Sequence, residues 1–396
     1  MQSLYICRAI FFILSNITTK IYTSIKQLPD NWDVVAIDNA FLQTAYLTVL
    51  EESAPSNMQC FYIGIYQNNT LIGVALSQYL NLNKLQSFGD RDKCLKTAIR
   101  NFIFKNFASH VLFIGNNMIT GQNGYTFNTT ISFEEISSIL LHIANEITNF
   151  YKKQKITIHL VSFKDFYQEC AFELKKFGFK SIYEFKTQPN MVFELPAEWK
   201  TIENYTDQLS KKYRDQYKRA HKKSEGIEAR ELTLAEIIEN EESIYKLYYY
   251  VAENAPFNTF FLAKNHFSIF KKQLKEKFIF CGYFIENQLV GFHTLFLNGT
   301  VLETYFLGYE EKIQKEKMLY LNMLYNMTQY GIEKQYKKII FGRTALEIKS
   351  SVGAKPIMMS GFLYHKNKIA NSFIDKIFKN LEPDIQWQQR HPFKIT

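Results

Sequence analysis

Two distant stretches of this chain carry the same pattern, and that repetition limits the folds open to it more than any other feature. Residues 61–80 (FYIGIYQNNTLIGVALSQYL) hold a β-rich run, a turn at Asn68 and Asn69, then Leu71, Gly73 and a second β-rich run. Residues 279–297 (IFCGYFIENQLVGFHTLFL) repeat the plan with Glu286, Asn287, Leu289 and Gly291. Both read as hairpins, because two apolar runs flank a short polar turn that tolerates positive φ. The offset is constant at 218 residues for Asn69/Asn287, Leu71/Leu289 and Gly73/Gly291. So long an offset points to a duplicated domain, since solenoid repeats recur every 20 to 50 residues or so.

A chain of 396 residues exceeds one ordinary core, so two domains of similar size are the simplest division. After the first hairpin, helical patterns follow at 93–106, 133–153 and 165–177, with strands at 111–114, 156–161, 181–185 and 191–195. Strands alternating with helices predict an α/β (α+β) layer architecture, and Pro196 closes the first domain. Beyond it, 209–223 (LSKKYRDQYKRAHKK) reads as a helix that is basic apart from one packing face, Tyr213, Tyr217 and Ala220. A solvated charged face and a contact for an anionic ligand both fit it. Helices at 234–254 and 264–276 lead to the second hairpin and a strand at 300–307. A Lys-rich turn (GYEEKIQKEK, 308–317), a helix at 318–334 and a strand at 339–341 then run into Gly342 and Arg343. The predicted domains are 20–196 and 197–396, after an apolar segment at 1–19.

Composition excludes more than it selects. Hydrophobic residues at 46% and charged residues at 21% are globular values, with no low-complexity tract to suggest disorder. The net charge of +9 favours anionic partners such as a nucleotide, a tRNA or a lipid surface without choosing among them. Cys7, Cys60, Cys94, Cys170 and Cys281 are scattered, with no metal-ligand spacing, and read as reduced thiols of a cytoplasmic protein. The run LYICRAIFFIL (4–14) carries Arg8 inside it and lacks a small-residue cleavage site, so it does not read as a secretory signal. It is also shorter than the roughly 20 residues that span a bilayer. A packed segment is the first expectation, and a peripheral anchor at the inner membrane face, through Phe11 and Phe12, is the alternative.

No GxSxG elbow, P-loop, HExxH or strand-linked GxGxxG is present, which disfavours Ser/His/Asp hydrolase and Walker-type chemistry. Acyl transfer from a thioester to an amine needs little by way of motif. A polarised carbonyl, an aligned neutral amine and a groove between two strands supply most of the rate. Glu303 and Tyr305 lie two apart on one strand face, as a base and acid would. His293, inside the second hairpin, is a further candidate base that reads equally as a core histidine. Gly308, Lys312, Lys315 and Lys317 surround the turn before a helix start, where a pyrophosphate could meet free N–H groups.

The segment FGRTALEIKSSVGAKP (341–356) resembles the corresponding part of FemAB-like proteins of the GNAT superfamily: an apolar strand, Gly, a polar turn, an acid, then Lys and Gly. Gly342, Arg343, Glu347, Lys349 and Gly353 fit that pattern. The basic helix at 209–223 is similar to the helix that opens the family's second domain, and FLQTAYLTVLEES (41–53) to the one that opens its first. The resemblance implies two tandem GNAT-like domains, each a mixed, mostly antiparallel sheet flanked by helices, with catalysis in the second. It implies an N-acyltransferase using acyl-CoA or acetyl-CoA as co-substrate and no metal, with Arg343, Glu347 and Lys349 binding substrate. Some family members use aminoacyl-tRNA, which keeps a Fem-type peptidyltransferase as the alternative. A non-catalytic module that binds an anionic lipid or cell-wall precursor is another. The GNAT pyrophosphate loop has no match here; GYEEKIQKEK stands in its place. The expected acceptor is a small-molecule or lipid amine, and DNA is not an expected partner.

Overall fold

The computed structural model describes residues 17–84, 108–255, 258–379 and 386–394. The apolar segment at 4–14, with Cys7, and the helix expected at 93–106, with Cys94, lie outside the described residues.

Fifteen strands are described: β1 (Ile17–Tyr22), β2 (Met58–Gln67), β3 (Thr70–Asn81), β4 (His110–Ile114), β5 (Tyr125–Phe127), β6 (Leu160–Tyr167), β7 (Tyr183–Lys186) and β8 (Asn190–Glu194), then β9 (Glu228–Glu231), β10 (Phe278–Ile285), β11 (Gln288–Asn298), β12 (Val301–Tyr309), β13 (Lys338–Gly342), β14 (Lys355–Ile357) and β15 (Met359–His365). They form two mixed, mostly antiparallel sheets flanked by helices, the expected class. The first sheet runs β1-β2-β3-β4-β6-β15-β7, with β5 also on β3. The second, read in the same sense, runs β9-β10-β11-β12-β13-β8-β14.

These two orders are the same plan. Each sheet has a hairpin, a third antiparallel strand, a crossover helix and a fourth strand parallel to the third: β4 with β6 and β12 with β13. The hairpin turns match in detail. Asn68 and Asn69 have φ of 49° and 65°, and Glu286 and Asn287 have 47° and 65°, the left-handed pair that a two-residue turn between right-twisted strands requires. A bulge follows Ile65 in one hairpin and Tyr283 in the other.

The linear division at residue 196 is not how the strands are partitioned. β8, from before that boundary, lies between β13 and β14 in the second sheet, and β15, from the far C-terminal part, lies between β6 and β7 in the first. Each half therefore receives one inner strand from the other. Local pattern carries no information about this exchange, because a strand's partner is chosen by tertiary pairing.

Both sheets are covered on both faces. The helix Phe133–Lys153 starts at a capping box between Ser132 and Glu135 and lays Ile136, Leu140, Ile143 and Ile147 on the outer face of the first sheet, against Phe61, Ile63 and Phe163. The opposite face of that sheet and the inner face of the second share one core, where Phe41 and Tyr46 meet Phe270 and Phe296. The outer face of the second sheet packs on the helix Leu319–Glu333 through Leu319, Met323 and Met327. Burial on both faces explains why the hairpin strands read as nearly continuous apolar runs.

Three local expectations differ from what forms. Asp165–Tyr167 continues β6, with Tyr167 opposite Met359, and the helix begins only at Gln168. The stretch read as a Lys-rich turn contains a helix, Glu311–Lys317, which ends at Met318 with φ of 52°. The single helix expected at 234–254 is two, Leu234–Glu239 and Glu241–Asn254, which meet at Asn240.

Candidate functional site

The parallel pairing of β12 with β13 covers only Val301 to Glu303 opposite Lys338 to Ile340. Past that point no pairing joins the two strands. On its other side β12 skips register with β11 between Thr304 and Leu307, so Tyr305 and Phe306 have no register partner in either ladder. A bulge of this kind re-aims the strand, and such bulges concentrate near active sites. Beside it lies a cleft of about 400 Å³.

Five segments line the cleft. Thr304 to Leu307 and Tyr309 come from β12, and Tyr248, Val251 and Ala252 from the helix Glu241–Asn254. Tyr320, Leu324 and Met327 come from the helix Leu319–Glu333. Phe341 to Ala345 and Lys349 close one side, and Met118, Ile119 and Thr120 reach in from the first domain.

Two basic side chains mark the side formed after β13. Lys349 is buried, and its Nζ donates to the carbonyl oxygens of Arg343 (2.5 Å) and Gly342 (3.3 Å). Burial pushes its pKa down to about 7. Arg343 pairs through Nη2 with Asp165 Oδ1, a carboxylate 1% exposed at the end of β6. Asp165 Oδ2 and Arg343 Nε have no hydrogen-bond partner. Next to Asp165, Lys164 Nζ donates to Asn117 Oδ1 at 2.8 Å; burial lowers its pKa to about 8, Asp165 opposing and Arg343 adding to the shift.

Tyr305 also lines the cleft, and its hydroxyl lies 3.0 Å from Nε2 of His266, a wholly buried ring. Ser53 Oγ, 2.9 Å from Nδ1 of that ring, already gives its one proton to the carbonyl of Val49. The ring must therefore carry its proton on Nδ1, leaving Nε2 to accept from Tyr305. Burial holds His266 neutral, its pKa down to about 4.

The remaining predicted residues stand elsewhere. Glu303 is 7% exposed and does not line the cleft; burial raises its carboxyl to about 8. His293 bonds Tyr283 at 3.0 Å through Nδ1, and burial depresses its pKa to about 3. Gly308 serves close packing and not a turn: a Cβ there would lie 2.6 Å from backbone atoms of Leu247 and Tyr248. Lys312, Lys315 and Lys317 ride on the helix Glu311–Lys317, outside the cleft lining. Lys315 pairs with Glu311, and Lys317 donates to the carbonyl of Glu225 at 3.0 Å. Glu347 pairs with Arg390 at 2.6 Å and ties down the C-terminal segment. Asp165, Lys164, His266 and the 118–120 loop were missed by sequence reasoning. Asp165 gave no signal, since it lay in a stretch that reads as helix. Among the described residues no cluster of His, Cys, Asp and Glu could hold a metal ion, and no helix is long and apolar enough to cross a membrane.

No family model matches the chain, and no curated protein matches its sequence. Its fold, however, superimposes on the crystal structure of FemX with a TM-score of 0.55 over 90% of this chain and 100% of that one, at 11% identity. The fold is FemAB-like. Weaker likenesses are to a tandem GNAT protein from the clavulanic acid biosynthesis pathway (TM-score 0.47, 8% identity, 89% and 99% of the two chains) and to L-PGS from Bacillus licheniformis (0.44, 14%, 85% and 96%). The repeated strand order makes two sheets of one plan, and the cleft lies on the second of them, with one wall from the first half of the chain.

Proposed function

We propose that this chain is an N-acyltransferase that moves an acyl group from an acyl-CoA-type thioester to a primary amine in the cleft between β12 and β13. The observation that supports it is the freed, bulged edge of β12 beside the buried amine of Lys349. An extended donor can lie along that edge. The N–H groups of Tyr305 and Phe306, without register partners, are the candidates to stabilise the carbonyl oxygen as it gains negative charge. The amine nitrogen attacks the carbonyl carbon, the C–S bond breaks and the thiolate leaves. Lys349, with a pKa near neutrality, takes the proton that the nitrogen sheds. Arg343, at the cleft wall, holds an anionic part of either substrate. Tyr305, with its hydroxyl given to His266, and Glu303, off the cleft, have no assigned step.

A second reading, with aminoacyl-tRNA as the donor, is favoured by one observation. The helix Lys211–Lys223 exposes Lys211, Lys212, Lys218, Arg219, Lys222 and Lys223, and it packs on the helix whose Tyr320, Leu324 and Met327 line the cleft. Lys312 and Lys315 extend this basic surface. A thermal-shift screen with CoA, acetyl-CoA, long-chain acyl-CoA and aminoacyl-tRNA separates the two, because a bound donor stabilises in proportion to ln(1 + [L]/Kd). Stabilisation by the CoA compounds supports the first reading and stabilisation by aminoacyl-tRNA alone the second. No shift with any of them at high concentration counts against both.

A further inference from the structure

The last residue of β13 and the three that follow it, 342–345, form a turn that few sequences would choose. Gly342 has φ of 70°, and Thr344 and Ala345 have 66° and 47°, left-handed values that cost a side-chain-bearing residue about 1 kcal/mol or more each. The turn lines the cleft, and its Gly342 and Arg343 carbonyls are the ones that hold Lys349 Nζ. Strain of this kind persists only where surrounding structure enforces it. The enforcing contacts come from outside the turn's own sheet neighbours. Gln188 Oε1 accepts the N–H of Thr344 at 3.1 Å, and Asp165, in the first sheet, takes the Arg343 guanidinium.

Asp165 is itself unusual. Its φ is 61°, it stands two residues past the last parallel pair of β6, and Gly342 stands two residues past the last parallel pair of β13. The two left-handed residues thus occupy the same place in the repeated plan, and the side chain of one domain's residue grips the turn of the other's. Asp165 Oδ2 and Arg343 Nε have no hydrogen-bond partner among the described residues.

We propose that Asp165 is a positioning residue of the second-domain cleft: by fixing Arg343 it sets the strained 342–345 turn, and the turn's carbonyls set Lys349. The first domain thereby completes the site of the second. What Lys349 is for rests on the proposed function; that Asp165 places it does not.

The test needs no substrate. Competitive labelling of the whole protein with acetic anhydride between pH 5 and 10 of about unit steps, read by mass spectrometry of the Lys349 peptide, reports the titration of that one amine, which burial holds low. Asp165→Asn and Asp165→Gly both suit a left-handed backbone and remove the carboxylate. With Arg343 released, the turn relaxes and water reaches Lys349. Its labelling midpoint should rise by about one pH unit or more in both variants, while Lys211 and Lys212 label as before. Asp165→Glu, which keeps the charge, should restore part of the shift. An unchanged or lowered midpoint in folded variants overturns the assignment. Loss of the fold in both would make the pair a structural clasp and overturn it equally. Failure of every donor in the thermal-shift screen, with the midpoint shifted as described, would remove the acyltransferase reading and leave this one standing.

Discussion

Asn69 and Asn287, 218 positions apart, share a φ of 65° at the second position of equivalent hairpin turns. The correspondence extends outward from them. Gly73 pairs with Ile65 just before one bulge, and Gly291 with Tyr283 just before the other. An offset visible in the chain thus becomes two sheets of one strand order, and the differences between them locate function. The fourth strand of the second sheet leaves its neighbour beside a cleft, and in the first sheet the matching region supplies the 118–120 loop to that cleft and Asp165 to its Arg343.

Lys349→Met should abolish most turnover while the fold survives. A base positioned for proton transfer contributes on the order of 100-fold or more, and methionine matches the stem without the charge. In the wild-type protein the rate should rise as pH climbs through about 7, because the lysine must be neutral to accept a proton. Steady-state rates across that range, once a donor is known, check both statements.

Arg343→Ala should destabilise the protein as well as slow it. Its loss strands Asp165, 1% exposed, without its cation, at a cost of about 3 kcal/mol or more. Adding Asp165→Asn should recover most of that loss, since the stranded charge is then gone. Urea melts of the two single variants and the double variant give the coupling directly.

Glu303 should make the protein less stable at alkaline pH. Its folded pKa of about 8 exceeds the ordinary 4.5, so the folded state holds an extra proton between those values. The contribution is whole below 4.5 and fades as pH rises through 8. Glu303→Gln mimics the neutral acid and should melt higher than wild type at alkaline pH, by an amount on the order of 2 kcal/mol, and alike in acid. Thermal melts in a series of buffers decide it.

Gly308→Ala should be costly although the residue is only a strand glycine. The added methyl would meet backbone atoms of Leu247 and Tyr248 at 2.6 Å, and neither can swing aside. The helix Glu241–Asn254 would have to lift from β12, at about 2 kcal/mol, with distortion of the cleft wall. Gly226→Ala is the control: nothing lies within 4 Å there, so only its φ of 84° opposes the change.

Reversing Lys218, Arg219, Lys222 and Lys223 to Glu should leave the melting temperature almost unmoved, since all four are exposed. Binding of any polyanion should weaken strongly, with a shallower dependence on salt. Elution from heparin and titration with tRNA measure it.

Much of this was legible in the chain. The two hairpins, the crossover helices at 133–153 and 318–334 and the strands at 111–114 and 339–341 follow from apolar runs and turn chemistry, whereas the edge strands β1 and β9 carry no such signal. Arg343 and Lys349 were reachable because they sit in one contiguous stretch after a strand. Asp165 was not, since KDFYQECAFELKK has helical spacing and it is the pairing of Phe166 and Tyr167 with Ser360 and Met359 that holds its first residues extended. Glu303 and Tyr305 stand two apart in β12, yet only Tyr305 lines the cleft, because spacing alone does not reveal the register skip that follows Thr304. His293 shows the same limit, as a buried ring bonded to Tyr283.

The crossing of β8 and β15 between the sheets has a consequence for handling the molecule. A cut near residue 196 would give two pieces, each lacking the rung next to one edge of its own ladder and carrying one that fits only its counterpart. Such pieces should be poor modules when expressed alone and should recover order when mixed, behaving as a split protein.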